Sequence, residues 1–249
     1  MTRRYIEDFK DLWTERADSF SKSIMNRIKN GYNPMWFDEI MDGIPEGQPQ
    51  RILDVGCGPG FFSIILAKMG HVVTGVDYND TMVETASRNC SSLGLRADFR
   101  QMDAHDLKFE DGTFDMVVCR DVLWNLDDPE RVYSEMYRVL REGGKLTLFD
   151  GNYYLYAHDK AYEKMDVEKH IELYHKGEKD CRERLMHVAD MATQLPASRE
   201  RRPQWDVSCL ISLGCSRVTA VPYKEERVRF EENGREIYLP FTFAVSAFK

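Results

Sequence analysis

Apolar residues recur along the chain in two rhythms, and the switches between them mark out the elements. Over the first 45 residues Ile6, Phe9, Trp13, Ala17 and Phe20 fall at spacings of three and four, the period of a helix with one buried face. Asn33-Pro34 and Gly43-Ile44-Pro45 break that period. The polar Glu46-Gly47-Gln48-Pro49 then leads into a short apolar run over 51–55, a first strand. A helix is expected over 61–69, a second strand over 72–76, and a helix from Thr81 that buries Met82, Ala86, Cys90 and Leu93. Strands three and four follow over 97–101 and 115–119. The next helix opens with Asp127 and Asp128 at its N-cap and Pro129 as its first residue; its stripe is Val132, Met136, Val139 and Leu140. Gly143-Gly144 stops it ahead of a fifth strand over 145–150. Strands alternating with helices imply parallel pairing through right-handed crossovers, hence an open, doubly wound α/β sheet.

Residues 151–205 abandon the alternation. They are rich in Tyr, His and charge, with helical periodicity and no strand-like run. Order returns with a short helix over 206–213 closed by Gly214, and with strands over 216–221 and 241–248. Between those strands a charged stretch carries Asn233-Gly234, the mark of an antiparallel hairpin or a return loop, and 225–230 can form a further strand.

Composition narrows the class. Of 249 residues 43% are hydrophobic and 31% charged, the balance of a globular domain with a sizeable core. A net charge of −8 repels phosphate backbones, which argues against a nucleic-acid partner and against charge-driven membrane attachment. The six cysteines are scattered without CxxC spacing, as in a reduced protein rather than a disulfide framework. The N-terminus has no apolar signal region and no run reaches spanning length, so a cytoplasmic protein is expected.

The chemical signal is Asp54-Val55-Gly56-Cys57-Gly58-Pro59-Gly60, three glycines at alternate positions after the first strand. Glycine there permits a tight turn and the close approach of a ligand to backbone. Asp77 closes the second strand, where an acid can accept hydrogen bonds from ribose hydroxyls. Asp103-Ala104 follows the third strand, and Cys119-Arg120 stands at the carboxyl end of the fourth.

Together these residues resemble the class I S-adenosylmethionine (SAM)-dependent methyltransferase family, closely over 51–150 and more loosely over 206–249. The subgroup most similar includes the ubiquinone- and menaquinone-pathway enzymes. The resemblance implies one domain with a seven-stranded, mostly parallel, Rossmann-like sheet, an antiparallel last strand and a helical lid insertion. Residues 1–45 would be an N-terminal helical lid, 51–150 the SAM-binding core, 151–205 a substrate lid and 206–249 the C-terminal strands. It assigns Asp54, Gly56, Gly58 and Gly60 to the methionine end of SAM, Asp77 to the ribose, and Tyr78 and Met82 to the adenine faces. Asp103 would take the adenine amino group, with a backbone contact from Ala104, and Cys119 would floor the site near the sulfonium. Phe20, beside Trp13 in a segment resembling the family's lid helix, would cover the methionine tail; plain helix packing is the other reading of both aromatics.

His105 stands where related sequences often carry an acid and reads best as a hydrogen-bonded turn histidine. Tyr153 and His158, nearest the end of strand five, are the first candidates for catalysis on a small-molecule acceptor. A nicotinamide dehydrogenase is disfavoured because its fingerprint needs glycine where Phe61 stands. Arg120-Asp121-Val122-Leu123 replaces the Asn/Asp-Pro-Pro-aromatic tetrad of base and amide methylation. The basic run Arg199, Arg201, Arg202 leaves an RNA methyltransferase as an alternative, although such a run reads first as a solvated loop. A SAM-binding protein without chemistry is the other alternative. No metal site is expected, the oxygen ligands Asp121, Asp150 and Asn152 being too sparse.

Overall fold

A computed structural model describes residues 4–32, 34–45, 47–174, 181–222, 227–232 and 235–249. Two helices, α1 (Arg4–Asn30) and α2 (Met35–Met41), precede the alternating units β1 (Arg51–Val55), α3 (Phe61–Lys68), β2 (Val72–Asp77), α4 (Asp80–Ser92), β3 (Asp98–Gln101), β4 (Phe114–Arg120), α5 (Pro129–Val139) and β5 (Leu140–Gly151). The insertion holds α6 (Val167–Tyr174) and α7 (Cys181–Ala192) among short 3-10 turns. Then come α8 (Gln204–Ser212), β6 (Arg217–Pro222), β7 (Arg227–Glu232), β8 (Arg235–Pro240) and β9 (Thr242–Phe248).

Seven strands form one sheet in the order β3-β2-β1-β4-β5-β9-β6. Neighbours from β3 to β5 pair in parallel, whereas β9 runs antiparallel to both β5 and β6. The expected doubly wound sheet with an antiparallel last strand is therefore present. Strand five is longer than expected: it begins at Leu140, directly after α5, and the Phe114/Met116 register shift accommodates Gly143-Gly144 within it. The charged stretch before β9 does form a hairpin, with β7 and β8 paired apart from the main sheet. Its expected turn at Asn233-Gly234 lies outside the described residues.

Local chemistry accounts for the helix starts. Asp128 accepts from the Arg131 N–H at 3.0 Å and caps α5, and Asn79 accepts from the Met82 N–H at 3.1 Å and caps α4. Two apolar layers cover the sheet. One buries Val132, Met136 and Val139 of α5 with Leu210 of α8, and the other buries Phe61, Phe62 and Ile65 of α3 with Ile24, Trp36 and Ile40. Helix α1, about 40 Å long at 1.5 Å per residue, joins the second layer through Ile24 and Ile28; its first half packs Phe9 and Leu12 with Trp124 and α7.

The insertion is tied down by buried polar groups, among them an arginine that the sequence pattern places at the surface. Arg202 is 1% exposed, donating to Asp150 at 2.8 Å and to Asp206 at 2.7 Å, and the Tyr133 hydroxyl donates to Asp206 at 2.6 Å. Asn152 donates to the Arg202 carbonyl at 2.6 Å and accepts from its N–H at 3.1 Å. Arg201 pairs with Asp159. Within the basic run Arg202 is thus not solvated, because burial of Asp150 and Asp206 demands a cation between them, whereas Arg199 and Arg201 are exposed as expected. Asp150 and Asn152 are both engaged in this network. Among the described residues no helix is long and apolar enough to cross a membrane.

Candidate functional site

The carboxyl ends of β1, β2 and β4 open into a cavity of about 180 Å³ roofed by α1. Its floor is the glycine turn. Gly56, Gly58 and Gly60 all take left-handed φ values of 67°, 50° and 93°, a region that disfavours any side chain. Their surroundings separate them. A Cβ on Gly56 would fall 2.2 Å from Val122 Cγ2, so that glycine lets the turn press against the segment after β4. A Cβ on Gly58 would project toward the cavity and meet only the Phe20 ring at 3.6 Å. One on Gly60 would press on Ala86 of α4 at 3.2 Å and on Ile64 at 3.3 Å. Gly60 therefore serves helix packing, and it lies outside the residues that line the cavity.

Two aspartates frame the turn. Asp77 accepts the Gly58 N–H with one oxygen and the Asn79 N–H with the other, both at 2.9 Å, while lining the cavity. Burial raises its carboxyl above the ordinary value, and those two N–H groups oppose the rise. Asp54, 3% exposed, accepts the Ser63 N–H at 3.0 Å and the Ser63 hydroxyl at 2.6 Å. Burial pushes its pKa up to about 6 against the pull of Ser63 and the charge of Arg120.

At one end the wall is Tyr78, Met82, Met102, Asp103 and Ala104. Asn79 fixes α1 above this end, donating to the Lys10 carbonyl and the Thr14 hydroxyl, each at 2.8 Å. The Tyr78 hydroxyl donates to Glu7 at 2.9 Å. His105 is the hydrogen-bonded turn residue expected: Asp103 Oδ1 accepts its backbone N–H at 2.9 Å and lies 2.7 Å from Nδ1. Trp13 and Phe20, with ring centroids 5.9 Å apart, both face the cavity from α1.

At the other end β4 delivers Arg120, Asp121 and Val122. Asp121 is the one non-glycine residue with positive φ among those described, at 56°, and its N–H donates to the Phe149 carbonyl at 2.9 Å. The Tyr153 hydroxyl donates to Asp121 Oδ1 at 2.7 Å, so Tyr153 stands one residue behind the wall. The other catalytic candidate is displaced. His158 is exposed and its Nε2 lies 2.7 Å from the Thr193 carbonyl, within the insertion, because the chain turns away from the sheet after β5.

Cys119 also needs correcting. Strand alternation turns it to the opposite face from Asp54 and Arg120, into the layer with Val55 and Val117, where it is fully buried. Among the described residues, those of 151–205 contribute nothing to the cavity wall, so α1 rather than the insertion covers it. Sequence reasoning set Arg120 at a strand's carboxyl end, where open sheets bind ligands, and weighed Asp121 only as a metal ligand, without giving either side chain a part in holding the ligand.

Residues 53–148 match the family described as "Methyltransferase domain". Among curated proteins, the chain is 39% identical over 113 residues to phosphatidylethanolamine N-methyltransferase of Cereibacter sphaeroides, covering 45% of this chain and 53% of that one. It is 34% identical over 130 residues to demethylmenaquinone methyltransferase of Thermus thermophilus, covering 51% and 59%. The chain thus spans little more than half the length of these relatives. Among solved structures, a SAM-dependent methyltransferase from Aquifex aeolicus shares the fold, with a TM-score of 0.54 at 20% identity over 92% of this chain and 96% of that one.

Proposed function

We propose that this chain, whose residues 53–148 match a methyltransferase domain, transfers a methyl group from SAM to a small-molecule acceptor. The observation that carries the reading is the match of the cavity to the cofactor. Gly58 leaves backbone open where a Cβ would intrude, Asp77 offers carboxylate oxygens at the end of β2, and an apolar slot between Met82 and Met102 is flanked by Asp103. Asp77 would hold the ribose, Tyr78 and Met82 the adenine faces, and Asp103 with Ala104 the adenine edge. Asp54, Gly56 and Gly58 would border the amino-acid end beneath Phe20.

SAM, when bound, supplies a methyl group already activated on a sulfonium. What remains for the protein is alignment and exclusion of water. Helix α1 does the second, covering the cavity with Phe9, Trp13 and Phe20. On the acceptor side Asp121 presents a carboxylate oriented by Tyr153, suited to accept a hydrogen bond from an acceptor N–H or O–H. Tyr153 accordingly acts through Asp121. A small-molecule acceptor of the quinone-precursor or amine type is consistent with the relatives named above and with the covered cavity.

The test is methyl transfer from SAM labelled on its methyl group, with a cell metabolite extract as acceptor source. Label is expected in a low-mass product with the native chain, and Asp77→Ala should reduce it while weakening S-adenosylhomocysteine binding about ten- to a hundredfold. Label confined to RNA or protein would overturn the acceptor class, and undiminished binding by folded Asp77→Ala would overturn the assignment of the cavity.

A further inference from the structure

The arginines inside this molecule differ in one respect. Arg202 saturates its guanidinium on Asp150 and Asp206, and Arg138 does so on Glu135, Asp111 and two backbone carbonyls. Arg120 has a side chain only 13% exposed and lines the cavity, yet among the described residues its guanidinium makes no hydrogen bond; Asp121 Oδ2 stands 3.7 Å from Nε. What holds it is aromatic. The guanidinium carbon lies 5.3 Å from the Trp36 ring centroid, 4.9 Å from that of Phe61 and 5.3 Å from that of Phe62. Ring faces orient a guanidinium through their quadrupole while leaving its N–H fork free. The charge of Arg120 is felt as far as Arg27, an exposed residue of α1 outside the cavity wall, whose pKa is lowered by partial burial first and by Arg120 second, with Asp121 opposing.

We propose that Arg120 is the carboxylate receptor of this cavity: its guanidinium, braced on Trp36, Phe61 and Phe62, takes a carboxylate of the bound ligand in a bidentate fork. Planar, two-pronged recognition of this kind is the use to which a free arginine fork is best suited. Two sources can supply the carboxylate, the amino-acid end of the cofactor or an acidic acceptor lying beside it. The first source rests on the SAM reading above; the second requires only the cavity.

The experiment is calorimetric titration of the full chain and of its Arg120→Gln and Arg120→Lys variants, each checked for native near-ultraviolet circular dichroism. Three probes are used: S-adenosylhomocysteine, its decarboxylated analogue, and benzoate added to protein saturated with S-adenosylhomocysteine. If the cofactor is the source, decarboxylation weakens binding to the native chain about ten- to a hundredfold. Arg120→Gln then loses the same factor for S-adenosylhomocysteine and nothing for the analogue, and Arg120→Lys is intermediate. If an acceptor is the source, decarboxylation costs nothing, and benzoate binds the loaded native chain but not loaded Arg120→Gln. Should Arg120→Gln fail to fold, the comparison of the two nucleosides on the native chain and on Arg120→Lys still decides the first source, and benzoate on those two proteins the second.

The proposal is overturned if neither decarboxylation nor benzoate distinguishes a chain with Arg120 from one without its fork. Failure of the SAM reading has a separate signature: the native chain then binds neither nucleoside, and benzoate is titrated into the unliganded protein to read Arg120 by itself.

Discussion

Gly58 and Gly60 sit two positions apart with the same left-handed backbone, and their neighbours make them fail in different ways. Valine at either position brings strain of about 1–3 kcal/mol. At Gly58 the new side chain would point into the cavity, so Gly58→Val is expected to abolish S-adenosylhomocysteine binding while retaining a cooperative fold. At Gly60 it would press on Ala86, adding overpacking of about 1–3 kcal/mol, so thermal unfolding should fall further for Gly60→Val. Equal thermal losses with retained binding in both would refute the distinction. Asp54 makes a prediction about pH. Its pKa is raised from 3.8 to about 6 by burial, so the folded state binds a proton more tightly than the unfolded chain does. Stability from this group is then greatest below the unfolded value and declines as pH rises from about 4 to about 6. Asp54→Asn removes that decline. The variant should be more stable than the native chain at pH 7.5, by up to about 3 kcal/mol from the two-unit gap, and the difference should shrink toward pH 5. A constant difference across that range, measured by urea unfolding, would contradict the assignment.

At the scale of elements, the insertion and α1 divide the work differently from what their positions in the chain suggest. The insertion is built into the fold by Arg202, whose ion pairs with Asp150 and Asp206 are fully buried. Removing one partner from such a network strands the others, at a cost of about 3–5 kcal/mol. Arg202→Ala should therefore lower the thermal midpoint sharply, with cofactor affinity unchanged in the folded fraction, since the network is not part of the cavity wall. A variant as stable as the native chain would show that the network contributes little. Helix α1 is attached more lightly where it roofs the cavity. Its polar ties there include those of Asn79 to Lys10 and Thr14, of Tyr78 to Glu7, of Lys10 to Asp80 and of Ser21 to Asn89, all outside the apolar core, so that opening need not break that core.

For the whole molecule this predicts where ligand binding is felt. Cofactor occupancy should slow amide exchange in the first half of α1 and in the glycine turn, the segments that face the cavity from opposite sides. Residues 151–205 should change little with cofactor alone, because they stand behind α1 and Asp121 rather than in the wall. Exchange mapped with and without S-adenosylhomocysteine checks this, and protection concentrated in 151–205 would restore the insertion as the lid. The elements themselves, by contrast, are legible in the order of residues. The glycine turn, the acid after β2, the capped α5 and the return hairpin each rest on residues adjacent in sequence, where local backbone preference acts.

Strand and helix order, the doubly wound sheet and most of the cavity wall around Gly58, Asp77 and Asp103 followed from the sequence by itself, since turns, caps and strand ends are encoded within a few residues. Even the inward turn of Cys119 was available in principle, because strand neighbours alternate between faces. Three features were decided only by the tertiary structure. Arg202 meets Asp150 across 52 positions, so one arginine of a basic run that looks solvated becomes a buried cation. The aromatic bed of Arg120 gathers Trp36 of α2 with Phe61 and Phe62 of α3 beneath the end of β4. The described part of the tyrosine-rich insertion stays out of the cavity wall and leaves the cover to α1, which joins two apolar layers at its ends. Each depends on which distant faces find one another on folding, and no periodicity in the chain records that choice.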